Sequence, residues 1–283
     1  MNITFIGGGN MAEALIGGLL GKGFKTPELH VVEINPEQRR KLAAKYGVGC
    51  HATAAEALRP GDIIVLAVKP QQMRAAVSGL ALEKDANLVI SIAAGITLDA
   101  LSKWLYGHLR LIRAMPNTPA LIGEGITGLY AMPQQVTPED IRHAETILGA
   151  VGATVWIADA GLMDAVTAVS GSGPAYVFLF MEALEQAGRE LGLSAETARK
   201  LALQTFTGAA KLAASSPEPL SVLRERVTSK GGTTEAALNS MDRDEVKNAI
   251  IRAIRAAEAR GRELGEQLGE QPGQEPGQEA GRD

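Results

Sequence analysis

Short apolar runs alternate with helical patterns through the first half of the chain. NITFIG, LHVVEI and DIIVLAV are each followed by a segment with helical periodicity, beginning near Met11, Pro36 and Pro70. Repeated strand–helix–strand units need crossover connections, which produce a parallel sheet covered by helices. NLVISIAAG and RLIRAMP continue the sheet, and GITGLYA and ATVWIA are expected as edge strands around a helix at 138–148. The pattern predicts a doubly wound α/β domain over residues 1–159.

Strand patterns stop after about Ala160, and long helical patterns follow at 174–191, 195–213 and 243–264. In the last of these, apolar residues recur at i, i+3, i+4 and i+7 and form one stripe. We therefore expect an all-α helical domain over residues 160–265. The final stretch, GEQPGQEPGQEAGRD, has almost no apolar residues, so residues 266–283 are predicted to be a disordered tail.

The segment AYVFLFMEAL is apolar on nearly every side, so its helix must be covered by several neighbours. A domain of roughly 100 residues offers little cover of that kind. Burial between two subunits would provide it, and so would a central position in a monomer. We favour a dimer formed through the helical domain.

The composition excludes several classes of protein. A net charge of −4 and an aromatic fraction of 4% leave no basic face and few stacking platforms, so nucleic acid is not expected as a partner. No apolar run reaches the roughly 18 residues of a membrane span. The one cysteine, Cys50, is expected as buried packing, and its isolation indicates a cytoplasmic protein. The four histidines lack metal-ligand spacing, so no metal is predicted.

The stretch IGGGNMAEAL places Gly7, Gly9 and Ala12 at G-x-G-x-x-A spacing between a strand and a helix. Gly7 permits the tight turn, Gly9 leaves room for a pyrophosphate, and Ala12 allows close packing of helix on strand. Phosphates would then bind the free amides at the start of the helix. This Rossmann-type fingerprint predicts a dinucleotide cofactor.

Two interpretations of the cofactor's ribose remain open. Glu33 ends the second strand about 20 residues after the glycines, where a carboxylate binds the 2′-hydroxyl of NAD. Asn35, Arg39 and Arg40 follow, and an amide with a guanidinium would hold the 2′-phosphate of NADP. The cofactor is thus expected to be NADPH or NADH.

Three further motifs end apparent strands, where open α/β sheets bind ligands. They are LAVKP with Lys69, SIAAG with Ala93, Ala94 and Gly95, and MPNTP with Asn117. The small residues of the second motif would let a nicotinamide ring lie against the backbone. Pro70, after Lys69, is equally suited to starting a helix.

Reduction of a ketone needs a group that protonates the alkoxide, and no histidine here is placed to do so. A C=N substrate that already carries a proton needs no strong acid, which points to an imine.

The stretch TSKGGTT interrupts a helical region with two glycines between hydroxyls. The amides of Gly231 and Gly232, with the helix start at Thr233 and Thr234, would form a nest for a carboxylate. Ser229, Thr233 and Thr234 would add hydroxyl groups, and Thr233 or Thr234 would cap the helix.

Several motifs in this order and spacing resemble those of the pyrroline-5-carboxylate reductases: IGGGNMA, AVKPQ, SIAAGI, MPNTP, SGSGPAY and TSKGGTTEAAL. The resemblance extends from about Asn2 to Leu264. It implies NAD(P)H-dependent reduction of the cyclic imine L-1-pyrroline-5-carboxylate to L-proline. It also implies an interlocked helical dimer, often assembled into a decamer, with the active site built between subunits.

The resemblance assigns roles to individual residues. Thr234 would hydrogen-bond the imine nitrogen, and Ser229 with the amides of Gly232, Thr233 and Thr234 would hold the substrate carboxylate. Residues expected to bind the dinucleotide are Gly7, Gly8, Gly9, Asn10, Met11, Asn35, Val68, Lys69, Ala93, Ala94 and Asn117. Lys230 departs from the pattern, since many members carry proline there, which leaves the stiffness of the loop open.

Two other classes compete with this interpretation. A reductase acting on a 3-hydroxy acid would need a catalytic lysine such as Lys211 or Lys247, and neither lies in a glycine-rich motif. A dinucleotide-sensing regulatory protein would bind the cofactor without turnover, but it leaves the hydroxyl–glycine cluster TSKGGTT unexplained.

Overall fold

The computed structural model of the protein describes residues 1–80, 82 and 86–270. Contacts divide the chain into two compact units. Unit 1 comprises residues 1–171 together with the chain from Ala257 onward, and unit 2 comprises residues 172–256.

Unit 1 contains an eight-stranded sheet in the order β3-β2-β1-β4-β5-β6-β7-β8. The strands are β1 Ile3–Ile6, β2 Leu29–Val32, β3 Gly49–His51, β4 Ile63–Leu66, β5 Leu88–Ser91, β6 Leu111–Met115, β7 Gly125–Ala131 and β8 Gly152–Trp156. Every predicted strand is present, and β3 is an addition that the sequence did not reveal. β1, β4 and β5 are buried along their whole length, which explains their continuous apolar runs.

Helices cover both faces of this sheet. The helices that begin in unit 1 are α1 Asn10–Gly21, α2 Pro36–Tyr46, α3 Ala54–Ala57, α4 Pro70–Ser78, α5 Leu98–Trp104, α6 Pro138–Leu148 and α7 Met163–Val166. One core joins Phe5 of β1 to α1, α2 and α6, and a second joins Ile6 to α3, α4 and α5. Consecutive strand residues point to opposite faces, so Phe5 and Ile6 enter different cores.

The sheet is not parallel throughout, because β7 runs antiparallel to β6 and parallel to β8. Between β6 and β7 the chain makes only a short 3₁₀ turn at Thr118–Ile122, too short for a crossover. Helix α6 supplies a crossover between β7 and β8. The doubly wound prediction is confirmed, with this one reversal.

Unit 2 is helical. Its helices are α8 Gly173–Glu190, α9 Ala195–Ala214, α10 Leu220–Arg226, α11 Thr233–Arg243 and the first part of α12 Val246–Glu270. The helix predicted at 243–264 is interrupted at Asp244 and Glu245, where Glu245 has a φ of +50°. α10 was not predicted, and no described residue after β8 is in a strand.

The two compact units differ in extent from the predicted ranges 1–159 and 160–265. Residues 160–171 belong to unit 1, where Asp164 pairs with Arg113 of β6. The last part of α12 also belongs to unit 1, because Gly265 packs against the backbone of Gly95. Helix α12 includes residues 266–270 of the predicted tail, and residues 271–283 lie outside the described part. The assignment of cofactor and substrate to separate domains stays a prediction.

Candidate active site

The glycine turn between β1 and α1 lies where the strand order reverses, between β1 and β4. Gly7 has a φ of +99°, and a Cβ there would lie 2.8 Å from the carbonyl oxygen of Ala67. The turns after β1 and β4 therefore touch, and a side chain at position 7 would separate them. In open α/β sheets this reversal point opens the crevice that binds ligands.

Gly8 and Gly9 have different surroundings. A Cβ on Gly8 would lie 2.7 Å from Leu42 of α2, so this position is closed by packing. A Cβ on Gly9 would meet nothing within 4 Å. Gly9 is also the N-cap of α1, so the first amides of that helix, at Asn10 and Met11, have no carbonyl acceptor within the helix. The turn thus offers open space beside amides that have no acceptor within the helix, which fits a pyrophosphate.

The Glu33 side chain is bound to the glycine turn. One carboxylate oxygen accepts from the Gly8 amide at 2.9 Å, and the other accepts from the Asn35 amide at 2.8 Å. Each oxygen retains further acceptor capacity, so a ribose hydroxyl can still bind here. Glu33 consequently has a structural role that the sequence did not suggest.

The residues after Glu33 organise the start of α2. Asn35 caps the helix, since its side-chain oxygen accepts from the Glu37 amide at 2.9 Å and from Gln38 at 3.4 Å. Arg39 donates through Nη1 to the carbonyl oxygens of Glu33, at 2.5 Å, and Ile34, at 3.0 Å. A guanidinium has five N–H groups, so Arg39 keeps donors for a phosphate.

A cavity of about 720 Å³ lies along these elements. Gly7, Glu33, Asn35 and Val68, all considered in the sequence, line it. The sequence reasoning missed other lining residues, among them Ile34, Thr53, Gln71, Gln72 and Ala75. Ile34 is 81% exposed, and an apolar side chain between Glu33 and Asn35 was the available signal for a residue that lines a ligand cavity.

Other predicted cofactor residues lie at neighbouring strand ends. Lys69 is the N-cap of α4 and Pro70 its first residue, so the helix-start interpretation of Pro70 is confirmed. Ala93 is buried after β5, and Ala94 is half-buried. Gly95 has a φ of +76°, and a Cβ there would lie 3.5 Å from the Gly265 amide nitrogen. The positive φ accounts for glycine at position 95, and the close contact with α12 is at Gly265, where a Cβ would lie 2.8 Å from the Gly95 carbonyl oxygen.

The Asn117 amide is held at both ends. Its Oδ1 accepts from the Ile126 amide at 2.9 Å, and its Nδ2 donates to the Ser170 carbonyl at 3.3 Å. Ser170 belongs to a π-helical turn, Thr167–Gly171, that follows α7. Asn117 thus joins the turn after β6 to two other segments of unit 1.

The predicted substrate loop lies in unit 2 between α10 and α11. Gly231 has a φ of +73°, in the left-handed region that favours glycine. A Cβ on Gly232 would lie 2.4 Å from the Ser229 hydroxyl oxygen. The two glycines therefore have separate purposes, since the first permits the turn and the second makes room for the hydroxyl.

The amides of this loop are not equally available. Gly231 donates to the Glu235 carboxylate at 2.7 Å, and Gly232 donates to the Ser229 carbonyl at 3.0 Å. The first intrahelical bond of α11 runs from Ala236 to the Gly232 carbonyl, so Thr233 and Thr234 have no acceptor within the helix. The prediction that a threonine caps this helix is wrong, because the N-cap is Gly232 and no side chain caps it.

A cavity of about 610 Å³ in unit 2 lies beside this loop. Thr228 and Glu235 line it, whereas Ser229, Thr233 and Thr234 do not. Lys230 is exposed. The hydroxyl groups predicted to bind the substrate, those of Ser229, Thr233 and Thr234, therefore do not line this cavity of unit 2.

The described residues include no group of three or more histidine, cysteine or acidic side chains arranged for a metal ion. His30 and His51 lie on neighbouring strands with Nδ1 and Nε2 3.3 Å apart. Burial and the proximity of His30 lower the pKa of His51.

Cys50 is half-buried, and burial raises the pKa of its thiol, as expected for a packing residue. Within the described part of the chain, no helix is long and apolar enough to span a membrane.

Comparison with known proteins identifies the family. The family model for pyrroline-5-carboxylate reductase dimerisation matches residues 160–264, and a model described as NADP oxidoreductase, coenzyme F420-dependent, matches residues 2–95. The pyrroline-5-carboxylate reductase of Pseudomonas aeruginosa is 46% identical over 93% of this chain and 96% of that protein. The enzyme of Arabidopsis thaliana is 38% identical over 93% of this chain and 95% of its own length.

Solved structures agree with the sequence relatives. A pyrroline-5-carboxylate reductase from Coxiella burnetii superposes with a TM-score of 0.86 at 40% identity, covering 93% of this chain and 98% of that one. A Plasmodium falciparum pyrroline carboxylate reductase with NADP bound gives 0.83 at 30% identity, covering 94% and 98%. The chain therefore belongs to the pyrroline-5-carboxylate reductases, NAD(P)-dependent oxidoreductases of proline biosynthesis.

Proposed function

We propose that the protein reduces L-1-pyrroline-5-carboxylate to L-proline by hydride transfer to the protonated C=N bond, with NADPH or NADH as the donor. The observation that carries the substrate assignment is the loop before α11. There, Gly232 leaves room for the Ser229 hydroxyl, and the amides of Thr233 and Thr234 have no acceptor within the helix. Two amides and a hydroxyl suit a carboxylate at the positive end of an eleven-residue helix.

The cofactor would be held in unit 1. Gly7 to Met11 would receive the pyrophosphate, and the cavity lined by Ile34, Asn35 and Val68 would take the adenosine half. Lys69, Ala93, Ala94 and Asn117 would lie on the nicotinamide side, at the strand ends next to that cavity. When bound, the reduced nicotinamide supplies the hydride.

Thr234 would act by orientation. Its hydroxyl would bond the ring nitrogen of the substrate and so keep the C=N carbon in one position. The nitrogen carries its proton before reduction, and that proton remains on the amine of the product. No residue has to supply a proton during the step, which agrees with the lack of a histidine in the loop.

Steady-state kinetics with L-1-pyrroline-5-carboxylate and each cofactor would test these roles. We expect Thr234→Ala to lower kcat by about 10²-fold while the cofactor Kd stays nearly unchanged, because one oriented hydrogen bond is lost. Thr234→Ser should restore most of the rate. Ser240→Ala, two turns later on α11, is the matched control. A Thr234→Ala enzyme with wild-type kcat and weakened cofactor binding would contradict this role.

The oligomer would be a homodimer formed through the helical unit, and five such dimers would make up a decamer. Large apolar side chains on α8 and α9 support a dimer, since Phe178 is 62% exposed and Leu179, Leu201 and Leu212 are also exposed. The dimerisation model that matches residues 160–264 supports it further. A cytoplasmic location accords with the single cysteine, and neither nucleic acid nor a membrane is needed as a partner.

A further inference from the structure

A second cavity of unit 1, of about 230 Å³, lies between the start of α5 and the turn before α7. Arg113 of β6 and Asp164 of α7 line it, together with Thr97, Asp99 and Tyr130. It shares no lining residue with the cavity assigned to the cofactor. None of these five residues has a role in the proposed function.

The Arg113 side chain is only 5% exposed and is paired with Asp164. Its Nη2 donates to Asp164 Oδ1 at 3.0 Å, and across the described ranges this is its one side-chain hydrogen bond. A guanidinium carries five N–H donors, and no Arg113 nitrogen is among the fully buried atoms that lack a partner in the described ranges, so the donors that are not bonded to Asp164 face open space. Because Arg113 lines the cavity, its remaining donors can bind an acceptor located there.

The charges around the cavity select the kind of ligand. Asp164 already neutralises Arg113, and Asp99 adds an exposed carboxylate at the start of α5. A simple anion would meet a lining with one positive and two negative side chains. A ligand with a carboxylate and an ammonium group would satisfy both Arg113 and Asp99. The volume suits a compact molecule, since sites for drug-sized ligands measure about 300–1,000 Å³.

We propose that this cavity is a second ligand site, which binds a small zwitterionic amino acid through Arg113 and Asp99. Arg113 donates to the carboxylate of the ligand, and Asp99 accepts from its ammonium group. L-Proline is a natural probe, and its choice rests on the proposed function. Glycine is a second probe whose binding does not depend on the reaction that the protein catalyses.

Calorimetric titration of the full-length protein with L-proline and with glycine tests the proposal. We expect L-proline to occupy two sites per chain in the wild type. Asp99→Asn should weaken one of them about tenfold, leaving kcat and the KM of the imine unchanged at low product concentration. Glu124→Gln, an exposed acidic position of unit 1 outside the cavity, should behave as the wild type.

Three results would overturn the proposal: no L-proline site that Asp99→Asn weakens, glycine affinities that are equal in Asp99→Asn and the wild type, or N-acetyl-L-proline binding as tightly as L-proline at the site that Asp99→Asn alters. The last compound lacks the ammonium group that Asp99 would bind. Arg113→Met is the less suitable variant, because it strands the Asp164 carboxylate and risks unfolding. Glycine binding that Asp99→Asn weakens would support the site even in a protein inactive toward the imine.

Discussion

Glu33 accepts a hydrogen bond from the Gly8 amide at 2.9 Å, so the end of β2 is tied to the glycine turn after β1. The same carboxylate binds the Asn35 amide and thereby the start of α2. Glu33 lines the cavity proposed for the cofactor, and Arg39 donates to its backbone carbonyl at 2.5 Å. One residue therefore affects both the shape of the cofactor site and its charge.

Replacing Glu33 with Gln should separate these two effects. A glutamine side chain has one carbonyl oxygen, so it can no longer accept from both the Gly8 and the Asn35 amides through separate oxygens. This loss is expected to weaken the binding of NADPH and NADH alike. Removal of the negative charge is expected to favour binding of the 2′-phosphate of NADPH. We expect the ratio of the NADH Kd to the NADPH Kd to rise about tenfold, or ~1.4 kcal/mol. Fluorescence titrations with both cofactors would measure it, with Glu37→Gln, an exposed position in the first turn of α2, as the control. An unchanged ratio would show that Glu33 takes no part in cofactor choice.

Gly232→Ala should disturb the substrate loop through Ser229. The new Cβ would lie 2.4 Å from the Ser229 hydroxyl oxygen, which must then move. We expect the KM for the imine to rise about tenfold, a loss comparable to one hydrogen bond to a charged group. Gly232→Ala in a Ser229→Ala background should have little additional effect, because the hydroxyl is already absent.

Gly231→Ala is the matched comparison, since open space surrounds a Cβ at that position. Its positive φ should cost about 1 kcal/mol of folding stability, seen as a lower unfolding temperature. Thermal unfolding and steady-state kinetics of the three variants would distinguish strain from displacement of the hydroxyl. Additive KM effects in the Ser229→Ala/Gly232→Ala double variant would refute the steric explanation.

Phe178→Glu should weaken the proposed dimer. A charge placed at the centre of an apolar interface is left without a partner and has to be desolvated. We expect a shift from dimer to monomer in light scattering at micromolar protein concentration. Tyr106→Glu, an exposed aromatic position in unit 1, should keep the wild-type mass. A Phe178→Glu protein that remains dimeric would place the interface elsewhere.

Asp140 should contribute stability that acid removes. Burial acts to raise its pKa, but hydrogen bonds from Arg110 and Thr137 outweigh burial, so the pKa of Asp140 falls below its ordinary value of 3.8. A lowered folded-state pKa means that the contribution is present above pH 3.8 and is lost as the pH falls through the folded-state pKa.

Asp140→Asn should therefore destabilise the protein by about 2 kcal/mol at pH 7, since the hydrogen bonds from Arg110 and Thr137 lose a charged acceptor. The difference from the wild type should shrink below pH 4. Thermal unfolding from pH 7 to pH 3 would measure it, with Glu139→Gln as the exposed neighbour control. A difference of the same size at pH 3 and pH 7 would show that the carboxylate charge is not responsible.

Local patterns were sufficient for most of the fold. Buried strands such as Ile63–Leu66 are continuous apolar runs, and α6 has a Thr137 cap followed by Pro138. Both kinds of element can therefore be predicted from the local sequence. β3, with three half-buried residues, has no such pattern, because its place depends on pairing with β2. The predicted helix also began three residues too early, at Arg243, because the charged run Arg243 to Glu245 carries no glycine or proline to mark the break before Val246.

The sequence by itself determined the alternating α/β unit, the helical unit and the residue types at the two predicted sites, because these depend on periodicity and on local turn chemistry. Tertiary structure decided what each side chain is bound to. Glu33 holds Gly8, Asn117 joins Ile126 to Ser170, and Gly265 of α12 packs closely on the Gly95 carbonyl. The partners in these contacts are 9 to 170 positions apart. No local pattern encodes such pairs, because chain folding alone brings them together.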